Sequence, residues 1–125
     1  MSHPWSHLLT VARSEVAATL HSLPAPLRAR ARQLPVTYER LPSAALQDDG
    51  IGDDTMGLFV GEAFPDSAAG LGPLPAQIIL FLENIWEEAG QDEEIYRDEV
   101  RATLLHELGH YLGLDEDDLD ERDLA

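Results

Sequence analysis

Cysteine is absent from all 125 residues, which removes disulfides, thiol nucleophiles and thiolate metal ligands together. Lysine is absent too. The eight basic residues are all arginines, set against 24 acids for a formal charge of −16. A surface of that sign repels phosphate backbones and anionic headgroups, so neither nucleic acid nor a membrane surface is an expected partner. No apolar run approaches the roughly 18 residues of a membrane span. The first residues lack the charged-then-apolar order of a secretory leader, and a cytoplasmic location is the expectation.

What is present fits a globular chain. Apolar residues make up 44% of the sequence, enough for one modest core. No linker or repeat divides the chain, so a single domain over 1–125 is expected. The charge is unevenly spread. Residues 1–46 carry five Arg and two Glu, a net +3; the remainder carries three Arg and 22 acids, a net −19.

Periodicity outlines the elements. Trp5, Leu8, Leu9, Ala12, Val16, Leu20 and Leu23 recur at three and four residues, predicting a first helix over 4–22 with Pro4 in its first turn and Ser2 or His3 as cap. Pro24 and Pro26 end it, and a short helical or irregular piece follows from Leu27 to Leu34. The alternation from Pro35 to Leu41, the run Met56–Val60 and the apolar run Gln77–Leu82 predict three strands. Residues 47–54 are expected as an acidic loop, 61–75 as a long irregular stretch and 84–90 as a connection. Asp92 then caps a long helix with Glu93 and Glu94 in its first turn. The buried stripe of that helix is Val100, Leu104, Leu108 and Leu112, flanked by Ile95 and Leu105, and Gly113 stops it. One or two further turns are expected over 119–124.

That last helix carries the sequence's one specific motif. His106-Glu107-Leu108-Gly109-His110 reads H-E-x-x-H. Residues four apart share a helix face, so both imidazoles reach one ion, while Glu107 sits one step round, close enough to hold the attacking water without ligating. Leu104, Leu108 and Leu112 meanwhile turn the opposite side into the core. A catalytic zinc takes three protein ligands and keeps a position open, so a third donor is required. Gly113 can reverse the chain and bring residues 115–117 back toward the metal. Glu116 is the first choice, with Asp115 and Asp117 as its neighbours in contention.

The segment HELGHYLGLDE, read as H-E-x-x-H-x-x-G-x-x-(D/E), resembles the small bacterial zincin-like metallopeptidases, the mini-zincins. Looser likenesses extend over most of the chain, including the helix ending at Leu23-Pro24, the strand before Pro42 and the Gly57–Gly61 segment. The resemblance implies an α+β, minimal zincin-like fold, with a small β-sheet packed on the active-site helix and an N-terminal helix. It implies zinc held by His106, His110 and Glu116, with Glu107 as catalytic base and a peptide or protein as substrate. Two departures stand out. The third ligand is an acid where the related metzincins use His, which lowers the Lewis acidity of the metal. No methionine follows the motif, so the floor of the site is expected to come from the strands. A zinc-binding interaction or regulatory module without turnover is the alternative to a peptidase.

Other features carry less. His3 and His7, also four apart, lack a third ligand and are expected as surface residues. Arg28, Arg30 and Arg32 are expected to be solvated, and Asp48-Asp49-Gly50 lacks the order of a calcium loop. Tyr38 and Tyr111 carry hydroxyls suited to an oxyanion but are expected to be packing residues. An extended substrate is expected to pair with a strand edge, at 36–41, 56–61 or 77–82.

Overall fold

A computed structural model describes residues 4–61 and 76–112. Among them run helix α1 (Trp5–Ser22), helix α2 (Ala25–Ala31), strand β1 (Val36–Glu39), helix α3 (Ala44–Asp48), strand β2 (Gly57–Val60), strand β3 (Gln77–Phe81), helix α4 (Leu82–Glu88) and helix α5 (Glu93–Leu112). The strands form one mixed sheet in the order β1-β3-β2. β1 pairs with β3 in parallel, Val36 opposite Ile78; β2 pairs antiparallel, Phe59 opposite Ile78. The protein is therefore α+β, a small sheet laid on α5 with α1 on the helical side, as the sequence predicts.

The central strand explains the register. Ile78, Leu80 and Phe81 are fully buried and Ile79 nearly so, which is the continuous apolar run of a strand covered on both faces. Leu8, Val11, Ala12 and Val16 of α1 meet Val100, Leu104 and Leu108 of α5 in the same core. No helix among the described residues is long and apolar enough to cross a membrane.

Several expectations need correction. Residues 84–90 are not a mere connection: α4 follows β3 without a break. Leu82, Ile85, Trp86 and Ala89 are all buried, and this spacing of three, four and seven is helical; no Gly or Pro interrupts it. The acidic stretch from 47 begins inside α3, whose Ser43 side chain accepts a hydrogen bond from the Leu46 N–H. β1 ends at Glu39, short of Leu41, which stands exposed. Pro4 occupies the cap position of α1 itself, with extended backbone. On α5 the flanking apolar residue is Tyr96, not Ile95. Ile95 is 48% exposed, whereas Tyr96 is buried and donates its hydroxyl to the Leu8 carbonyl at 2.9 Å. Four residues before Val100, Tyr96 lies on the stripe; five before it, Ile95 has rotated off. Ser2, His3, most of the 61–75 stretch, Gly113 and the expected turns at 119–124 lie outside the described residues.

Candidate metal centre

The site begins with the cap of α5. Asp92 Oδ1 accepts from the Ile95 N–H at 3.1 Å and the Asp92 carbonyl from the Tyr96 N–H at 2.8 Å, closing the first turn as expected of an N-cap. Val100, Leu104, Leu105 and Leu108 then fix the helix's rotation by facing the core. With that rotation set, His106 and His110 emerge on the exposed side. Their rings lie 4.7 Å apart between centroids, inclined at 55°. The division of faces predicted for Leu104 and Leu108 against the two histidines holds, although Leu112 is only half-buried.

Glu107 points a third way, beneath β2. A Cβ added at Gly57 would lie 2.5 Å from Thr103 Cγ2 and 3.3 Å from Glu107 Cγ, so the strand rests directly on this turn of α5, where a side chain at 57 would interfere. The antiparallel register, with the Phe81 N–H donating to the Met56 carbonyl, makes Leu58 the residue that pairs with β3. The backbone groups of Gly57 and Phe59 therefore face the sheet's outer edge. The Phe59 N–H donates to Glu107 Oε1 at 3.0 Å. Glu107 Oε2 lies 4.0 Å from His106 Nε2. One carboxylate oxygen is thus anchored on the strand edge and the other lies on the histidine side.

Glu107 is 8% exposed, whereas the His106 side chain is 48% exposed. Beside them opens a cleft of about 350 Å³ lined by Met56, Gly57, Glu99, Thr103, His106 and Glu107. The strand thus supplies part of the site's wall. The approach to β2 is pinned from behind: Asn84 Nδ2 on α4 donates to the carbonyls of Asp53 and Thr55 at 2.8 and 2.9 Å.

The two tyrosines separate. Tyr111 packs on Phe59, ring centroids 5.7 Å apart, next to the motif. Tyr38 sits on β1, across the central strand from β2, with the Arg13 guanidinium over its ring and burial pushing its hydroxyl above the ordinary phenol range. Of the three strand edges in contention for substrate, 77–82 is the centre of the sheet and 36–41 lies on the far side, leaving 56–61 beside Glu107. Glu116, with Asp115 and Asp117, lies outside the described residues. Among the described residues no three His, Asp or Glu side chains come together as a metal cage.

Sequence reasoning passed over two members of this arrangement. Gly57 inside an apolar strand is itself a signal of close backbone approach. The Phe59 N–H carries no sequence signal, because its role follows from which edge of β2 faces away from β3. Outside the site, His7 is more than a surface residue: its Nε2 meets Glu93 Oε1 at 2.5 Å, tying α1 to the first turn of α5.

No curated protein matches this chain. A sequence profile described as zincin-like metallopeptidase does match it, over residues 31–125, taking in all three strands, α4 and α5 with the H-E-x-x-H turn. With three quarters of its length covered by that profile, the chain belongs to the zincin-like metallopeptidase family.

Proposed function

We propose that this protein hydrolyses peptide bonds, with zinc held by His106, His110 and Glu116 and with Glu107 as general base. The observation that carries the reading is the placement of Glu107, buried and oriented by the Phe59 N–H, between an open strand edge and two exposed, adjacent imidazoles. The donor set fits the metal: two imidazole nitrogens from successive turns, with a carboxylate as third ligand, make a set that leaves one position open. Zinc bound there supplies a Lewis acid that polarises the scissile carbonyl.

The protein's own groups do the rest. Extended substrate aligns along β2, whose Gly57 and Phe59 backbone groups face outward beside the cleft. Glu107 accepts the proton of the attacking water on its unanchored oxygen and returns it to the departing amine nitrogen. The anchored oxygen keeps the carboxylate from rotating away between the two transfers.

Elemental analysis tests the metal first. About one zinc per chain is expected in wild type and much less in Glu116→Ala. Glu107→Gln tests the chemistry, because its amide oxygen still accepts from the Phe59 N–H while it no longer takes a proton. The expected result is retained zinc and fold with peptidase activity down at least about a hundredfold. Zinc without turnover in the wild type favours the interaction module; no zinc after reconstitution removes both readings.

A further inference from the structure

Among the described residues the sheet has a second open edge, at β1, across β3 from β2. The Ile78 N–H donates to the Pro35 carbonyl, and the parallel register puts Thr37 and Glu39 next in line for β3. Val36 and Tyr38 therefore turn their backbone N–H and C=O groups outward, where they meet no partner among the described residues. Alongside runs a groove of about 650 Å³ between β1 and α1, floored by Trp5, Leu9, Leu20 and Leu34. Arg13 and Arg32 line it as well. Neither forms an ion pair among the described residues, in a chain with three times as many acids as bases. Arg13 lies over the Tyr38 ring, its guanidinium carbon 5.7 Å from the centroid, at the strand's outer edge.

We propose that this groove binds an extended peptide segment in which apolar residues alternate with carboxylates, added to β1 as a fourth strand. A helix facing an open strand edge across an apolar floor is the geometry in which main-chain hydrogen bonds give affinity and alternate side chains give specificity. Alternation sends every second side chain to the floor of Trp5 and Leu9 and the others outward. Arg13 and Arg32, which line the same groove and have no ion-pair partner among the described residues, favour a carboxylate-bearing segment, acting within about 10 Å despite the acidity of the whole molecule. The site is separate from the metal centre and does not depend on it.

The probe is a fluorescein-labelled Glu-Val-Glu-Val-Glu-Val peptide titrated by anisotropy into the full chain. Binding is expected, weakened about tenfold or more by Arg13→Glu or Arg32→Glu, since each replaces attraction by like-charge repulsion. The same peptide N-methylated at alternate residues keeps its charge and apolar area but cannot pair, and its affinity is expected to fall at least tenfold as well. Amide hydrogen exchange gives the position directly. The Val36 and Tyr38 N–H groups are expected to gain protection on binding, while Thr37 and Glu39, already bonded to β3, gain little. The proposal is overturned by absence of binding at millimolar protein, by equal affinity for the N-methylated peptide, by indifference to both arginine reversals, or by protection appearing at β2. A chain that pairs β1 with β1 of a second copy and takes no peptide overturns it too.

Discussion

Gly57 is the point where β2 packs most closely on the H-E-x-x-H turn of α5. Its missing side chain lets β2 settle onto Thr103 and Glu107, and that contact puts the Phe59 N–H within 3.0 Å of the Glu107 carboxylate. Gly57→Ala places a methyl 2.5 Å from Thr103 Cγ2, a distance at which either the strand or the buried Thr103 side chain must move. A loss of about 1–3 kcal/mol in urea denaturation is expected, as for overpacking elsewhere, and, on the proposed function, a lower peptidase activity as the carboxylate loses its anchor. Thr103→Ser removes the offending γ-methyl. Combined with Gly57→Ala, it is expected to recover a good part of the stability, a non-additivity that two unrelated lesions would not produce. If the double variant is less stable than either single one, the contact is not the cause. The same turn separates the anchor from the proposed proton transfer by Glu107, since Gln keeps the strand anchor but takes no proton.

The long helix shows why some elements are readable and others are not. Asp92, the core stripe and the two histidines of α5 all follow from a 3.6-residue period and a capping side chain, both local properties of sequence. Asp92→Ala removes the acceptor for the Ile95 N–H, and a loss of about 1 kcal/mol is expected from thermal denaturation. Zinc stoichiometry is expected to stay unchanged, because His106 and His110 lie more than two turns away. α4 is hard to read from the sequence for a different reason. Seven residues are too few for a clear period, and an apolar run continuing from β3 into Leu82 hides the change from strand to helix. The fold class, the N-terminal helix, three strands and the H-E-x-x-H face were legible. Strand order was not, because the pairing of β1 and β2 on opposite sides of β3 is a long-range choice. Among the described residues that order leaves one open edge beside Glu107 and another beside Arg13, so the site's surroundings came only with the structure. The part played by Ile95 was lost to a rotation of about 100°, one residue's step round the helix.

At the scale of the whole molecule, excess negative charge makes each well-placed cation count. Glu93 stands where α1 meets α5, with His7 Nε2 at 2.5 Å and Arg97 Nη2 at 3.5 Å; the same Arg97 reaches Glu15 of α1 at 3.8 Å. Hydrogen bonding from His7, followed by the charges of His7 and Arg97, holds the Glu93 carboxyl below the ordinary carboxylate range. The folded state therefore keeps Glu93 ionised at pH values where the unfolded chain has begun to take up its proton. It follows that the unfolded chain binds more protons there, and stability rises with pH across the interval. The contribution is complete above the ordinary carboxylate pKa, near pH 4.3, and fades as acid carries the pH down through the lower folded value. Measured by denaturant titration, wild type is expected to exceed Glu93→Gln in stability at pH 6, with the difference shrinking steadily toward pH 3. In a His7→Ala background the same comparison is expected to give a smaller gap and a shallower slope, because the first cause of the shift is gone. Both groups are well exposed, so about 0.5 M salt is expected to narrow the gap at pH 6 as well. A difference that stays constant from pH 6 to pH 3 would mean that Glu93 joins α1 to α5 by packing and neutral hydrogen bonding, with its charge contributing nothing.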